Sequence, residues 1–136
     1  MDRYLDTTRL GPLFLKQPDI AKIVVDSILY GARDLGFYEL GAYVVMPNHA
    51  HMLAAPHVDP PKLLKAIKNY SAREANKLLR RTGQPFWQSE SYDHWVRDDR
   101  EFERIRLYIE NNPVTAGFVK TPEQYRWSSA YQAKTE

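Results

Sequence analysis

Three features of the 136-residue chain predict a small two-layer α+β sandwich, an antiparallel sheet backed by helices. Segments with helical spacing alternate with short runs rich in β-branched and aromatic residues. Two of those runs meet at Pro47-Asn48, which reads as the corner of a hairpin. The length fits a single domain, residues 1–136, large enough to bury a core, and no repeat, low-complexity tract or linker divides it.

Residues 18–35, "PDIAKIVVDSILYGARDL", carry Pro18 and Asp19 in a first turn. Ile20, Ile23, Val24, Ser27 and Ile28 follow one helical face, and Gly36 suits the position past the end. "FYELGAYVVM" (37–46) and "HAHMLAA" (49–55) read as two strands, followed by a proline-rich break at 56–61. "KLLKAIKNYSAREANKLLRR" (62–81) is a second helix, stopped by Thr82-Gly83. "SYDHWVR" (91–97) is a short strand with Tyr92, His94 and Val96 on one face. "DREFERIRLYIENN" (99–112) is a third helix, ended by Pro113. The remaining tail is expected to pack over the core through Phe118, Tyr125 and Trp127.

Apolar residues form 43% of the chain and charged residues 26%, the balance of an ordinary globular protein. Nothing approaches the ~20 consecutive apolar residues of a membrane span. The N-terminus lacks the basic-then-apolar layout of a signal peptide, so a cytoplasmic location is expected. The absence of cysteine excludes disulfides and thiolate metal sites. A net charge of +2 is modest, so the placement of the positive charge matters more than its sum.

His49 and His51 lie two apart on the second strand and therefore point to one face, roughly 7 Å apart along the chain. Converging imidazoles can hold a divalent ion, although an isolated pair is more often one core histidine beside one edge residue. His57 lies in the proline-rich break and is a weak further candidate. On the third helix Phe102, Ile105 and Ile109 form the core stripe. Tyr108 and Asn112, four apart, share a flank one turn from each other, with Asn112 placed at the helix terminus by Pro113. The second helix holds seven cations, Lys62, Lys65, Lys68, Arg73, Lys77, Arg80 and Arg81, against the single acid Glu74. A solvated face usually mixes both signs, so this one favours a phosphate track, to which Arg97 could add. Tyr70, Phe86, Trp87, Tyr92 and Trp95 could stack bases, although core packing is the commoner fate of Phe86 and Trp87. His94 is expected to be structural or to support the site, bonded to a carboxylate such as Asp93 or Asp98.

The stretches "VVMPNHAHML", "FWQSESYDHWVRDDREF", "YIENNPVTAGFV" and "YRWSSAY" occur in this order and spacing in the IS200/IS605-like single-tyrosine transposases. The chain resembles that superfamily from about residue 5 to residue 131, most closely its REP-associated tyrosine transposases. The resemblance implies a ferredoxin-like nuclease fold of the HUH type, named for its His-hydrophobic-His motif. It implies His49, His51 and Asn112 as ligands of Mg2+ or Mn2+, and Tyr108 as a nucleophile. It further implies that single-stranded DNA near hairpins is cut and rejoined through a 5′-phosphotyrosine. DNA would then be the partner, and the protein would be nucleoid-associated when bound.

Two departures shape further expectations. Ala50 replaces the usual bulky middle residue of the histidine motif and should still face the core. Relatives also carry a first strand that has no clear counterpart here. Either "RYLDTT" or "LFLK" takes its place, a second chain fills the gap, or the sheet is thinned, and an exposed edge would favour a homodimer. The alternative to an active transposase is a hairpin-binding module for DNA or RNA that keeps the fold and no longer cuts. A water-using metal hydrolase is a weaker reading, since no acid adjoins the histidines in sequence and Glu110 lies on a different helix face from Tyr108.

Overall fold

The elements follow one another as a βαββαβ chain with a helix added. The computed structural model describes residues 4–10, 13–87 and 91–133. Its elements are β1 (Leu5–Leu10), α1 (Pro18–Arg33), β2 (Tyr38–Met46), β3 (His49–Pro56), α2 (Pro60–Leu79), β4 (Ser91–Trp95) and α3 (Asp99–Thr115), with single 3-10 turns at Leu13–Lys16 and Pro122–Gln124. The sheet runs β2-β3-β1-β4 with every neighbouring pair antiparallel, the split βαβ arrangement of ferredoxin-like folds.

Period-two alternation divides the core between the two faces. Ala50, Met52 and Ala54 of β3 pack with Ile20, Val24 and Ile28 of α1 and Leu63 and Ile67 of α2. Leu53 of β3 and Val44 of β2 pack with Ile105 and Ile109 of α3 on the other face. Each of the Ile, Val, Leu and Met side chains among them contributes about 1.5–3 kcal/mol on burial. The sandwich expected from sequence is therefore present, and α3 adds a partial third layer over β2 and β3. Ala50 does face the core, and its small side chain borders a void of about 20 Å³ among Leu64, Ile67 and Trp87.

The first strand is present. Leu5–Leu10 pairs with β3 on one side and β4 on the other, so the chain from Leu5, the "LDTT" of "RYLDTT" and the two residues after it, supplies a central strand of the sheet. It is short, six residues, but the gap that motivated an expectation of dimerisation is closed. The β2 edge is also covered. Val45 N–H donates to Trp127 O at 2.8 Å and Ser129 N–H to Tyr43 O at 3.0 Å, so the tail acts as a short extra strand.

Three local readings need correction. α2 begins at Pro60, inside the expected break, because Pro60 and Pro61 occupy its first turn, where no N–H is required. Pro113 lies inside α3 rather than ending it. The lost bond to the Ile109 carbonyl falls in the last turn, and the proline ring is fully buried, which offsets the loss. Asn112 thus sits within the helix. Phe118 is 53% exposed rather than packed in the core; it stacks on Tyr125, whose hydroxyl donates to Val45 O at 2.7 Å. Burial pushes the Tyr125 phenol up to about 12, which keeps that donor protonated. α3 approaches the sheet where β2 bulges between Leu40 and Ala42. A Cβ at Gly41 would meet the Phe102 ring at 2.9 Å, so glycine is required there.

Candidate functional site

Strand alternation sends His49, His51 and Leu53 toward α3. The His51 ring meets the Tyr108 ring edge-on, with centroids 5.9 Å apart and planes at 68°. His51 is 5% exposed and Tyr108 63% exposed, so a buried imidazole lies beneath a phenol open to solvent. Ile105 and Ile109, on either side of Tyr108 in sequence, root this turn of α3 in the core. Asn112 is half-buried one turn further along.

His49 is half-buried beside Asn48 at the hairpin corner, its Nδ1 2.9 Å from Asn48 Oδ1. Burial, then the neighbouring His51, lowers its pKa below the ordinary imidazole value. It is therefore neutral at neutral pH, with a lone pair to donate. Two imidazoles on one strand face favour a transition-metal ion such as Mn2+ over Mg2+, whereas an amide oxygen such as that of Asn112 suits either. Among the described residues no three His, Asp or Glu side chains form a ready-made cation cluster. His57 is exposed at the far end of β3, where its N–H donates to Phe37 O, and it takes no part.

Two carboxylates escaped the sequence reading. Asp6 of β1, 8% exposed, bonds Nε2 of His51. An acid does therefore adjoin the histidine pair, contrary to expectation, though it is buried against the ring rather than open to water. Glu110 is committed elsewhere, to Arg106 at 2.7 Å and the Ser129 hydroxyl at 3.3 Å.

The second is Glu101, 6% exposed in the first turn of α3. It accepts from Arg97 N–H at 2.8 Å, from the Arg97 and Arg104 guanidinium groups at 3.2 and 3.3 Å, and pairs with His94 Nε2 at 3.0 Å. His94 is thus held by Glu101; the Asp93 side chain lies outside the described residues, and Asp98 caps α3 by accepting from Glu101 N–H at 2.8 Å. These bonds tie the start of α3 to β4 and so set the height of Tyr108 over the sheet. The backbone N–H of Arg97, then His94, then the Arg97 side chain hold the Glu101 carboxyl down at about 2. A depressed carboxylate adds stability above its unfolded value of ~4.3, and that stability is lost as pH falls toward 2. Glu101→Gln should therefore lower the melting temperature at pH 7, and the gap from wild type should close in melts run from pH 5 downward. A constant gap across that range would separate the clamp from its charge.

The cations of α2 lie on the opposite layer from Tyr108. Lys62, Lys65, Arg73, Lys77 and Arg80 are exposed, and Lys68 and Arg81 are half-buried. Arg81 lies over the Phe14 ring at 4.8 Å, Arg73 over Tyr70 at 5.7 Å, and Lys77 pairs with Glu74 at 3.0 Å. Arg97 belongs to the Glu101 clamp at the end of β4. Leu78 is 57% exposed near the end of α2. Phe86 is buried, and the Trp87 indole donates to Ser71 Oγ at 2.8 Å, so both serve the core. Tyr70 stacks on Tyr30 at 5.6 Å, and Trp95 is 41% exposed on β4. The Tyr92 side chain lies outside the described residues. No described helix is long and apolar enough to cross a membrane.

The model of the IS200-like transposase family matches residues 18–112. A Haemophilus influenzae protein (strain ATCC 51907 / DSM 11121 / KW20 / Rd), assigned as a REP-associated tyrosine transposase, is 26% identical over 106 residues, 70% of this chain. The chain spans 60% of that relative's length. The solved structure of a REP-associated tyrosine transposase bound to a REP hairpin superposes with a TM-score of 0.76 at 21% identity, over 94% of this chain and 76% of the other. A structure assigned as a transposase of Deinococcus radiodurans R1 gives a TM-score of 0.56 at 24% identity, over 79% and 88%. At these identities the two solved structures establish the fold.

Proposed function

The chain belongs to the IS200-like transposase family, and from that premise we propose that it cleaves and rejoins single-stranded DNA beside a hairpin, with Tyr108 as nucleophile. The observation that carries this reading is the exposed Tyr108 phenol standing edge-on over His51. A hydroxyl that must attack a polymer has to be open to solvent, while its orientation must come from beneath. Ile105, Ile109 and the Glu101 clamp supply the rigid support. Tyr108 Oη would bond to phosphorus as the P–O3′ bond breaks. The phenol proton passes to solvent, and the 3′-oxygen leaves as a hydroxyl by taking up a proton. The 5′-phosphotyrosine conserves the ester, so attack by a 3′-hydroxyl restores the strand.

His49, His51 and Asn112 would hold a divalent ion, Mg2+ or Mn2+. Such an ion, when bound, neutralises charge on the scissile phosphate and orients it for in-line attack. The role of His49 in this scheme is consistent with its lowered pKa, since only the neutral ring donates a lone pair.

The basic face of α2 would track the hairpin backbone. α3 spans the β2–β3 half of its face, so DNA would reach both layers by crossing the β4 side, past Arg97. Neutralising two exposed cations, Lys65→Gln with Arg73→Gln, should reduce the salt slope of binding by about 1.8, at ~0.9 per duplex phosphate contact. Cleavage at saturating DNA should not change; an unchanged slope would move the DNA off α2.

The direct test incubates the chain with hairpin-bearing single-stranded DNA and Mn2+, then resolves covalent adducts under denaturing conditions. An adduct is expected. Tight hairpin binding with no adduct at any divalent ion would overturn the reading and leave a binding module of the same fold. The first strand, whose absence would have favoured that alternative, is present.

A further inference from the structure

Asp6 occupies a position that neither the proposed chemistry nor the charge clamp uses. It sits on the central strand, in register with Leu53 of β3 and His94 of β4, on the face that α3 covers. Its carboxylate bonds Nε2 of His51, which lies diagonally across the β1–β3 pair, where Thr8 is the direct partner. Both residues are nearly closed to water, at 8% and 5% exposure. A carboxylate buried in mid-sheet is costly unless bonded, and the imidazole N–H supplies the donor.

The choice of nitrogen has a consequence. A carboxylate accepts, so the His51 proton resides on Nε2 and the lone pair on Nδ1. At His49 the partner is on the other nitrogen: Asn48 Oδ1 stands 2.9 Å from Nδ1, and an amide oxygen accepting there leaves the lone pair on Nε2. Each ring of the pair is thus held by one side-chain oxygen, and the two rings offer different nitrogens. Among the described residues Asp6 does not join His49 and His51 in a ready-made cluster of three ligands. It stands behind His51 rather than beside it.

We infer that Asp6 is the positioning residue of His51, fixing its tautomer and ring plane so that His51 offers Nδ1, and His49 Nε2, to a divalent cation. This rests on the reading of the pair as a cation site. A carboxylate behind a ligating imidazole raises the basicity of the ring and removes its rotational freedom. Loss of such a partner typically weakens metal binding about 10–100-fold.

The test uses the full chain with Mn2+ alone, without DNA, comparing wild type with Asp6→Asn and His51→Ala. Asp6→Asn, nearly the same size, should bind Mn2+ about 10–100-fold more weakly, with melting in EDTA reporting separately on the fold. A second measurement needs no variant. Isotope-labelled histidine rings of the metal-free wild type should show the Nε2–H tautomer at His51 and the Nδ1–H tautomer at His49. Added Cd2+, as a diamagnetic probe, should couple to Nδ1 of His51 and Nε2 of His49. A merely structural Asp6 would move the EDTA melt but not those nitrogen signals. Coupling of Cd2+ to Nε2 of His51 overturns the inference. So does wild-type Mn2+ affinity in Asp6→Asn when His51→Ala has lost it, an outcome that leaves the cation site standing. If His51→Ala also binds as wild type, the cation site itself fails and the inference falls with it.

Discussion

Tyr108→Phe should abolish the covalent protein–DNA adduct, a loss of more than about 1,000-fold in cleavage rate, while hairpin affinity and melting temperature stay near wild type. So clean a separation follows from geometry. The side chain is 63% exposed, so deleting one oxygen removes no buried hydrogen bond and opens no cavity. The ring that remains still meets His51 edge-on, a contact between ring faces and edges that does not involve the hydroxyl. α3 keeps its anchors at Ile105, Ile109 and Glu101. What disappears is the atom that would bond to phosphorus. Residual strand scission without adduct would identify water as the attacking group and revive the hydrolase reading. Scission with an undiminished adduct would move the nucleophile to another residue.

The contrast between what could and could not be read from sequence follows from the range of each signal. α1 and β2 were legible because their apolar residues repeat at short, local periods. The candidate site was legible for the same reason: His49 and His51 share a face through a period of two, Tyr108 and Asn112 through a period near four. Contacts that depend on register were not. Asp6 meets His51 across 45 positions of chain, and only the β1–β3 pairing brings them together. β1 itself, "LDTTRL", carries little hydrophobic alternation; it is a strand because β3 and β4 flank it. Pro113 misled because a proline normally ends a helix, whereas here its buried ring holds the last turn in place. The layer occupied by α2 was likewise hidden, since a basic stripe records which face is wet and not which side of the sheet lies beneath it.

His49→Ala, and chelation of wild type with EDTA, should each reduce adduct formation at least about 100-fold, because an ion at a scissile phosphate supplies several kcal/mol of transition-state stabilisation. Hairpin binding should persist in both cases if affinity comes from the cations of α2, which lie on the opposite layer. The comparison is sharper at His49 than at His51. His49 is half-buried at the hairpin corner and bonds the adjacent Asn48, its one side-chain partner among the described residues, so truncation costs little folding energy. His51 is buried against Asp6, and removing it would strand a carboxylate in the sheet. A fall in adduct with His49→Ala that excess Mn2+ partly restores would mean weakened ion binding through the remaining ligands. A fall that no Mn2+ concentration restores would mean that His49 also orients the ion against the phosphate. Loss of hairpin affinity in EDTA would instead tie the ion to docking, and would place the DNA contact on the α3 face rather than on α2.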